Sequence, residues 1–260
     1  MTQADNNRQR AIRLNKIGLW TTTHWLRIAL IIIGVYASLP WVAPTLMKLG
    51  ATGPANLIYT LYSPFCHQFA FRSFFLFGEQ ATYPRAISGA DQKPFESYIT
   101  DLPEFSPDRV VPPFPGVIGD PANFSPAFQI ASREFIGNAQ MGYKTTLCMR
   151  DVAIYSAIFF GGLIFARIRK RLRPIPIWLY VLVGIAPIGI DGLSQLLGNP
   201  PFNLWEPRET LPVFRVVTGA LFGLANVWLG FPYLEMSMRD SRDQIRAKLA
   251  RAGVPITDLL

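Results

Sequence analysis

The chain has 260 residues, of which 50% are hydrophobic and only 16% are charged, and its mean hydropathy is +0.23. Soluble domains carry about 25% charged residues, so this composition argues against an ordinary soluble domain. The net charge of +8 is compatible with nucleic acid binding, but the basic residues lie mainly beside apolar stretches. We therefore predict an integral membrane protein that lies in a lipid bilayer and has no nucleic acid partner.

The first apolar stretch, 26–47, follows a basic N-terminal segment, 1–25. It is long enough to cross ~30 Å of hydrocarbon, which takes about 20 helical residues. It is too long for the apolar region of a secretory signal, it contains Pro40 and Pro44, and no small-residue cleavage site follows. We therefore predict a retained membrane span.

The next segment, 55–78, is apolar but is interrupted by Pro64 and Arg72. Its many phenylalanines match the belt of aromatic residues found at lipid headgroups. These features predict a re-entrant or interfacial helix. A fifth full crossing is disfavoured, because an odd number of spans would place one of the two basic termini on the outer side.

A long insertion, about 80–147, follows and is rich in proline, which prevents regular helix. We predict an ordered irregular loop on the outer side, with disorder as the alternative. Several aromatic side chains in the insertion could dock on another surface. They are Phe95, Tyr98, Phe105, Phe114, Phe124 and Phe128.

Three further apolar stretches, near 150–167, 175–198 and 213–235, complete four predicted spans within a membrane domain at 26–236. Basic clusters lie at the N-terminus, at 167–173 and in an amphipathic tail, 237–260. By the positive-inside rule, both termini are cytoplasmic in a multi-pass protein of the inner (plasma) membrane. The predicted fold is all-α, with four transmembrane helices, a re-entrant or interfacial helix and a long irregular outward loop.

Polar residues from four separate segments converge on one depth in this topology. Ionisable groups at membrane depth are costly and mark functional sites by default. A structural cluster of salt bridges, joining Asp151 and Asp191 to Arg150 and Arg215, is the alternative. The converging residues are Cys66, His67, Arg72, Cys148, Arg150, Asp151, Asp191, Gln195, Glu206, Arg208, Glu209 and Arg215.

The two cysteines allow three interpretations. Cys66, His67, Cys148 and Asp151 form a possible four-ligand set for zinc or iron, which thiolate and imidazole ligands suit. A disulfide between Cys66 and Cys148 is the main rival, since both would lie toward an oxidising compartment. In the third interpretation the thiols are free, either buried and inert or activated by a neighbouring positive charge.

Four motifs in a fixed order resemble a family of prokaryotic predicted membrane proteins, domain of unknown function 2085. The motifs are C-H-Q with R-S-F-F at 66–75, C-x-R-x-x-x-I-Y at 148–155, P-x-x-x-D-G-x-x-Q at 187–195, and R-E with R-x-x-T-G at 208–219. The resemblance covers about 55–230 and implies a membrane protein with no established reaction. Relatives usually carry C-x-x-C where this chain has Asp151, and they usually lack the long insertion.

Two functional hypotheses follow. In the first, which we favour slightly, the protein is an accessory or structural subunit of a larger membrane complex, respiratory or photosynthetic, with other protein subunits as partners. In the second, it is an enzyme at the outer leaflet that acts on a lipid-linked or anionic substrate. Asp191, Cys66, His67 and Arg150 would then be catalytic, and the substrate would be bound by Arg72, Gln195, Arg208, Glu209 and Arg215.

Overall fold

The structure is a computed structural model that describes residues 3–113, 115–199 and 202–254. Its helices are α1 (Gln3–Lys48), α2 (Thr52–Tyr62), α3 (Glu96–Ile99), α4 (Pro126–Glu134), α5 (Met149–Ile168), α6 (Ile177–Gly198) and α7 (Pro212–Arg251). Its strands are β1 (Ser73–Leu76), β2 (Gly137–Asn138) and β3 (Gly142–Cys148), joined in the antiparallel order β1-β3-β2. The chain is 65% helical, which confirms the prediction of an all-α membrane protein.

Among the described residues, four helices are long and apolar enough to cross a membrane: α1, α5, α6 and α7. They correspond to the four predicted spans. Most side chains in their apolar stretches are not buried within the protein, so these helices present their apolar surface outward, as lipid-facing helices do. The protein therefore has the arrangement expected of a chain surrounded by lipid.

Helices α1 and α7 contain 46 and 40 residues, far more than the roughly 20 that a span needs. Their surplus ends run side by side in opposite directions. Arg8 donates to the carbonyl of Ala252 at 3.3 Å, and the Trp25 indole donates to the Glu235 carboxylate at 2.9 Å. The predicted basic termini thus form an antiparallel helix pair at one end of the molecule, here called the basic end. Residues 255–260 of the predicted tail lie outside the described residues.

Two glycines allow α7 to pack directly against the backbone of α5. A Cβ atom at Gly219 would lie 2.5 Å from the carbonyl oxygen of Arg150, and one at Gly223 would lie 2.5 Å from that of Ile154. The spacing of four residues is the small-residue pattern by which membrane helices approach closely. This contact fixes the first turn of α5, which carries several of the predicted site residues, beside α7.

Only the first part of segment 55–78 forms the predicted helix. Helix α2 ends at Tyr62, just before Pro64, and the chain then turns and enters β1. In β1, Ser73 pairs with Cys148 and Phe75 with Lys144 of β3. The prediction of one re-entrant or interfacial helix over this segment is therefore wrong beyond Tyr62. Proline ends the helix, and the following aromatic residues find a partner strand that lies far away in sequence.

Most of the predicted irregular loop belongs to an ordered cap, here defined as the described residues of 69–141. The prediction is wrong at its end, because 142–147 lie in strand β3. The helices of the cap are short, as the prolines require, and its aromatic side chains pack against one another. Phe71 stacks on Phe128 with ring centroids 5.8 Å apart, and Phe95 meets Phe105 edge-on at 5.5 Å. The cap therefore has a hydrophobic core of its own.

The cap core corrects the idea that these aromatic residues form a docking surface. Phe95, Tyr98, Phe105 and Phe128 are all buried, and Phe124 packs partly buried against the same core. Burying such large apolar side chains is worth about 1.5–3 kcal/mol each, so the cap uses them for its own folding. Phe114 lies outside the described residues.

The glycine contact between α5 and α7 can be tested by substitution. We expect Gly219→Val to destabilise the protein by about 2–3 kcal/mol through overpacking, because the new side chain meets the α5 backbone. Gly230→Val on the same helix is the matched control, since its Cβ has no described neighbour within 4 Å. Thermal unfolding in detergent measures both, and equal melting temperatures would contradict the role of Gly219.

Candidate functional site

The predicted polar residues meet at the end of the spans opposite the basic end, directly beneath the cap. Arg150 lies in the first turn of α5, Asp191 and Gln195 lie on one face near the end of α6, and Arg215 lies in the first turn of α7. Arg72 enters from the turn before β1. The expected convergence of four segments is therefore present in the structure.

Glu209 joins the cap to the membrane helices. Its carboxylate accepts two hydrogen bonds from Arg72, at 2.8 and 2.7 Å, and another from Arg215. Burial opposes the ionisation of Glu209, but the adjacent guanidinium groups of Arg72 and Arg215 outweigh it and lower the pKa of this carboxyl. Glu209 is thus a buried, ionised acid shared by two arginines.

Asp191 is the second anionic centre, and its oxygens are fully engaged. It accepts hydrogen bonds from Arg150, from Arg208 at 3.3 Å and from Thr210. Gln195 donates to the same carboxylate at 3.2 Å, and its own carbonyl accepts from Arg215 at 2.8 Å. Gln195 therefore links the two anionic centres into one network.

This arrangement bears on the predicted role of Asp191 as a general base. A base needs a free lone pair within reach of the substrate proton. Two guanidinium groups, an amide and a hydroxyl already occupy the Asp191 carboxylate. Its geometry suits a residue that positions Arg150, and proton abstraction would first require one of these bonds to break.

A cavity of about 740 Å³ lies between the cap and the ends of α6 and α7. Its wall combines cationic, amide and apolar groups. Among the described residues, the Nε atom of Arg150 is buried without a hydrogen-bond partner. The lining includes Arg72, Arg85, Arg150, Arg215, Gln129, Gln195, Asn199, Ile87, Phe124 and Leu196.

The ion pairs around this cavity leave an excess of positive charge. Within the part of the chain that the structure describes, five arginines form ion pairs with only three carboxylates. These ion pairs therefore carry a net charge of +2. The arginines are Arg72, Arg85, Arg150, Arg208 and Arg215, and the carboxylates are Glu96, Asp191 and Glu209. A cavity with such a wall attracts anions, and guanidinium groups match carboxylate and phosphate oxygens especially well.

The cysteines form a separate cluster at the start of α5. Both carry free thiols in the described chain, and Cys66 donates to the sulfur of Cys148 at 3.0 Å. That hydrogen bond, together with burial, raises the pKa of Cys66, and the same bond lowers the pKa of Cys148. The ligand atoms of Cys66, Cys148 and Asp151 all lie within 4.8 Å of one another.

His67 does not join this cluster. Its side chain is exposed, and its ring packs on Phe69 with the centroids 5.3 Å apart. Adjacent side chains in a non-helical segment point in different directions, which explains why Cys66 faces the protein interior and His67 does not. The predicted four-ligand set is therefore reduced to three ligands.

Two buried residues near the cysteines were missed by the sequence analysis. Lys144 of β3 donates to the carbonyls of Gln68 at 2.6 Å and Arg133 at 2.6 Å, and burial lowers its pKa to about 7. Gln68 adopts a left-handed backbone (φ 55°) and donates to the carbonyls of Tyr59 and Thr146, each at 2.9 Å. Gln68 belongs to the C-H-Q motif, which does not reveal its partners, and nothing in the sequence around Lys144 indicates that this lysine is buried.

Three more members of the arginine network were also missed. Thr210 donates a hydrogen bond to Asp191, and Ser194 accepts one from Arg208. Arg85 of the cap forms part of the cavity wall. Threonine, serine and a loop arginine are common at surfaces, so only their position in the fold distinguishes them.

Comparison with known proteins finds a similarity over part of the chain. Residues 129–229 match the family described as predicted membrane protein (DUF2085). The resemblance seen in the motifs is thereby confirmed for this part of the chain. The matched segment contains Cys148, Arg150, Asp191, Glu209 and Arg215, whereas Cys66, Arg72 and Arg85 lie outside it.

An uncharacterized protein of Methanocaldococcus jannaschii is 30% identical over 97 residues. The match covers 36% of this chain and 57% of the relative, so the chain spans a little over half of that relative's length. No solved structure matches. The comparisons therefore support a predicted membrane protein of unknown function and name no reaction.

The central ion network yields a stability prediction. Glu209→Gln removes the shared anion and leaves Arg72 and Arg215 buried without their partner, so we expect a loss of about 3–5 kcal/mol. The exposed Glu206, three residues earlier, provides the control Glu206→Gln, which should leave stability within about 0.5 kcal/mol. Unfolding in detergent measures both, and a stable Glu209→Gln protein would contradict the central role of this residue.

Proposed function

We propose that this membrane protein binds an anionic, lipid-linked ligand in the arginine-lined cavity beneath the cap. The observation that carries the proposal is the excess of two positive charges around a cavity of about 740 Å³. Small-molecule sites are typically about 300–1,000 Å³, so a phosphorylated or carboxylated headgroup fits this space. Arg150, whose Nε is buried without a partner, is one of the four arginines that line the cavity.

The position of the cavity favours a ligand with a lipid tail. Helix α6 forms one wall through Gly192, Gln195 and Leu196. On the same helix, Ile190 and Leu193 are 68% and 57% exposed, as expected for side chains that face lipid. An acyl or prenyl chain can lie along this apolar surface while the headgroup occupies the cavity.

We further propose that the cap and the cavity face the outer side of the cell membrane. The positive-inside rule supports this orientation, because the N-terminus, the 167–173 cluster and the end of α7 are all basic. We expect fluorescence from a green fluorescent protein fused after residue 260 and none from the same reporter inserted at the exposed cap turn 89–92, because that reporter folds only in the cytoplasm. The opposite pattern would invert the proposed orientation.

An accessory role in a larger respiratory or photosynthetic complex is the alternative. Its sequence arguments were the change from C-x-x-C to C-x-x-D and the large insertion, whose aromatic side chains would form the docking surface. Those aromatic side chains that the structure describes are used within the cap core. The cavity therefore gives the ligand-binding hypothesis the stronger physical basis.

A pocket-filling substitution tests the proposed function. Gly192 lines the cavity, and a Cβ atom there has no described neighbour within 4 Å, so Gly192→Phe should fill the space and leave the fold intact. Gly189→Phe is the matched control, because Gly189 is equally open, lies on the same helix and is not part of the cavity wall.

The readout is native mass spectrometry in mild detergent with added phosphatidic acid or phosphatidylcholine of equal chain length. We expect the wild type and Gly189→Phe to retain about one phosphatidic acid and to prefer it over phosphatidylcholine. Gly192→Phe should bind it at least roughly tenfold more weakly, a loss of about 1.4 kcal/mol. Equal retention of both lipids by the wild type, or unchanged binding by Gly192→Phe, would refute the proposal.

A further inference from the structure

The cysteine cluster has a geometry that the arginine cavity does not explain. The two sulfurs lie 3.0 Å apart, and both lie within 4.8 Å of an Asp151 carboxylate oxygen. Cys66 and Cys148 are buried, and Asp151 is half-buried. Three groups that become anionic are thus gathered in one small space at the start of α5.

Two backbone N–H groups point at the Cys66 sulfur, where they would stabilise the thiolate once a metal ion displaces the thiol proton. The sulfur accepts N–H hydrogen bonds from Cys148 at 3.2 Å and from Gln68 at 3.4 Å. Gln68 has a left-handed backbone conformation, in which its N–H group points at this sulfur. The hydrogen bonds from the Gln68 side chain to the carbonyls of Tyr59 and Thr146 hold this conformation in place. Fixed donors around a ligand atom orient and tune metal ligands in this way.

From this geometry we propose that Cys66, Cys148 and Asp151 bind one divalent transition-metal ion, with Zn²⁺ the best match. Cysteine thiolates and aspartate carboxylates are both established zinc ligands. Zinc–sulfur bonds of about 2.3 Å in tetrahedral geometry separate two sulfurs by about 3.8 Å, so Cys66 and Cys148 need to move apart by less than about 1 Å. The ion also offsets two of the three negative charges.

The site has three protein ligands and one open position. A cavity of about 230 Å³ borders Cys66 and is also lined by Ser63, His67 and Arg133. Water or another small ligand reaches the fourth position from this side. Catalytic zinc sites have this pattern of three protein ligands and one exchangeable ligand, whereas structural zinc sites are closed. His67 lies beside the opening and is not a ligand in the proposed site.

The first test measures metal content under reducing conditions. The full-length protein in mild detergent is treated with a chelator, dialysed against Zn²⁺ or Co²⁺, and analysed for bound metal. We expect about one ion per chain and, with Co²⁺, a sulfur-to-cobalt charge-transfer band. Asp151→Asn should weaken zinc binding by roughly 100-fold, whereas His67→Ala should leave it unchanged.

A variant that binds metal more tightly provides a second test, because misfolding cannot explain a gain of affinity. Asp151→Cys replaces an oxygen ligand by a thiolate at the same position, so it should bind Zn²⁺ more tightly and strengthen the cobalt charge-transfer band. The absence of bound metal in the fully reduced wild type, or no response to Asp151→Cys, would overturn the proposal. These results are independent of lipid binding in the arginine cavity, so the two proposals can fail separately.

Discussion

The rest of the structure depends on the ion pairs that the buried carboxylate of Glu209 forms with two arginines. This carboxylate sits between Arg72, which comes from the cap, and Arg215, which begins α7, and Gln195 of α6 contacts both arginines. A buried charge left without its partner costs about 3–5 kcal/mol, so each of these groups requires the others. The same contacts that attach the cap to the membrane helices also place arginines on the wall of the cavity.

The first turn of α5 divides two chemical environments. Cys148 and Asp151 are three residues apart and share one side of the turn, where they meet Cys66. Arg150 points elsewhere, toward Asp191 and the cavity. Close packing at Gly219 fixes this turn against α7. The cysteine cluster and the arginine cavity are therefore neighbours in the fold, and residues 148–151 contribute side chains to both.

The cap shows how an insertion of low helical propensity becomes an ordered structure. Prolines restrict it to short helices and turns, so it cannot gain stability from long regular elements. Its phenylalanines and tyrosines supply that stability by packing into a separate core. Because Phe124 and Arg85 belong to the cap and also line the cavity, folding of the insertion completes the site.

The sequence by itself determined the four spans and the depth at which the polar residues meet. Long apolar stretches and flanking charges are local properties of the sequence. Because a helix rises by a constant length per residue, the position of a residue in such a stretch gives its depth in the membrane. Only the tertiary structure decided which groups pair. The partners of Glu209 lie 137 and 6 residues away, Cys66 finds Cys148 across 82 residues, and His67 is turned away from its neighbour's cluster. Side-chain direction and pairing between distant segments depend on packing, and no local pattern in this chain encodes them.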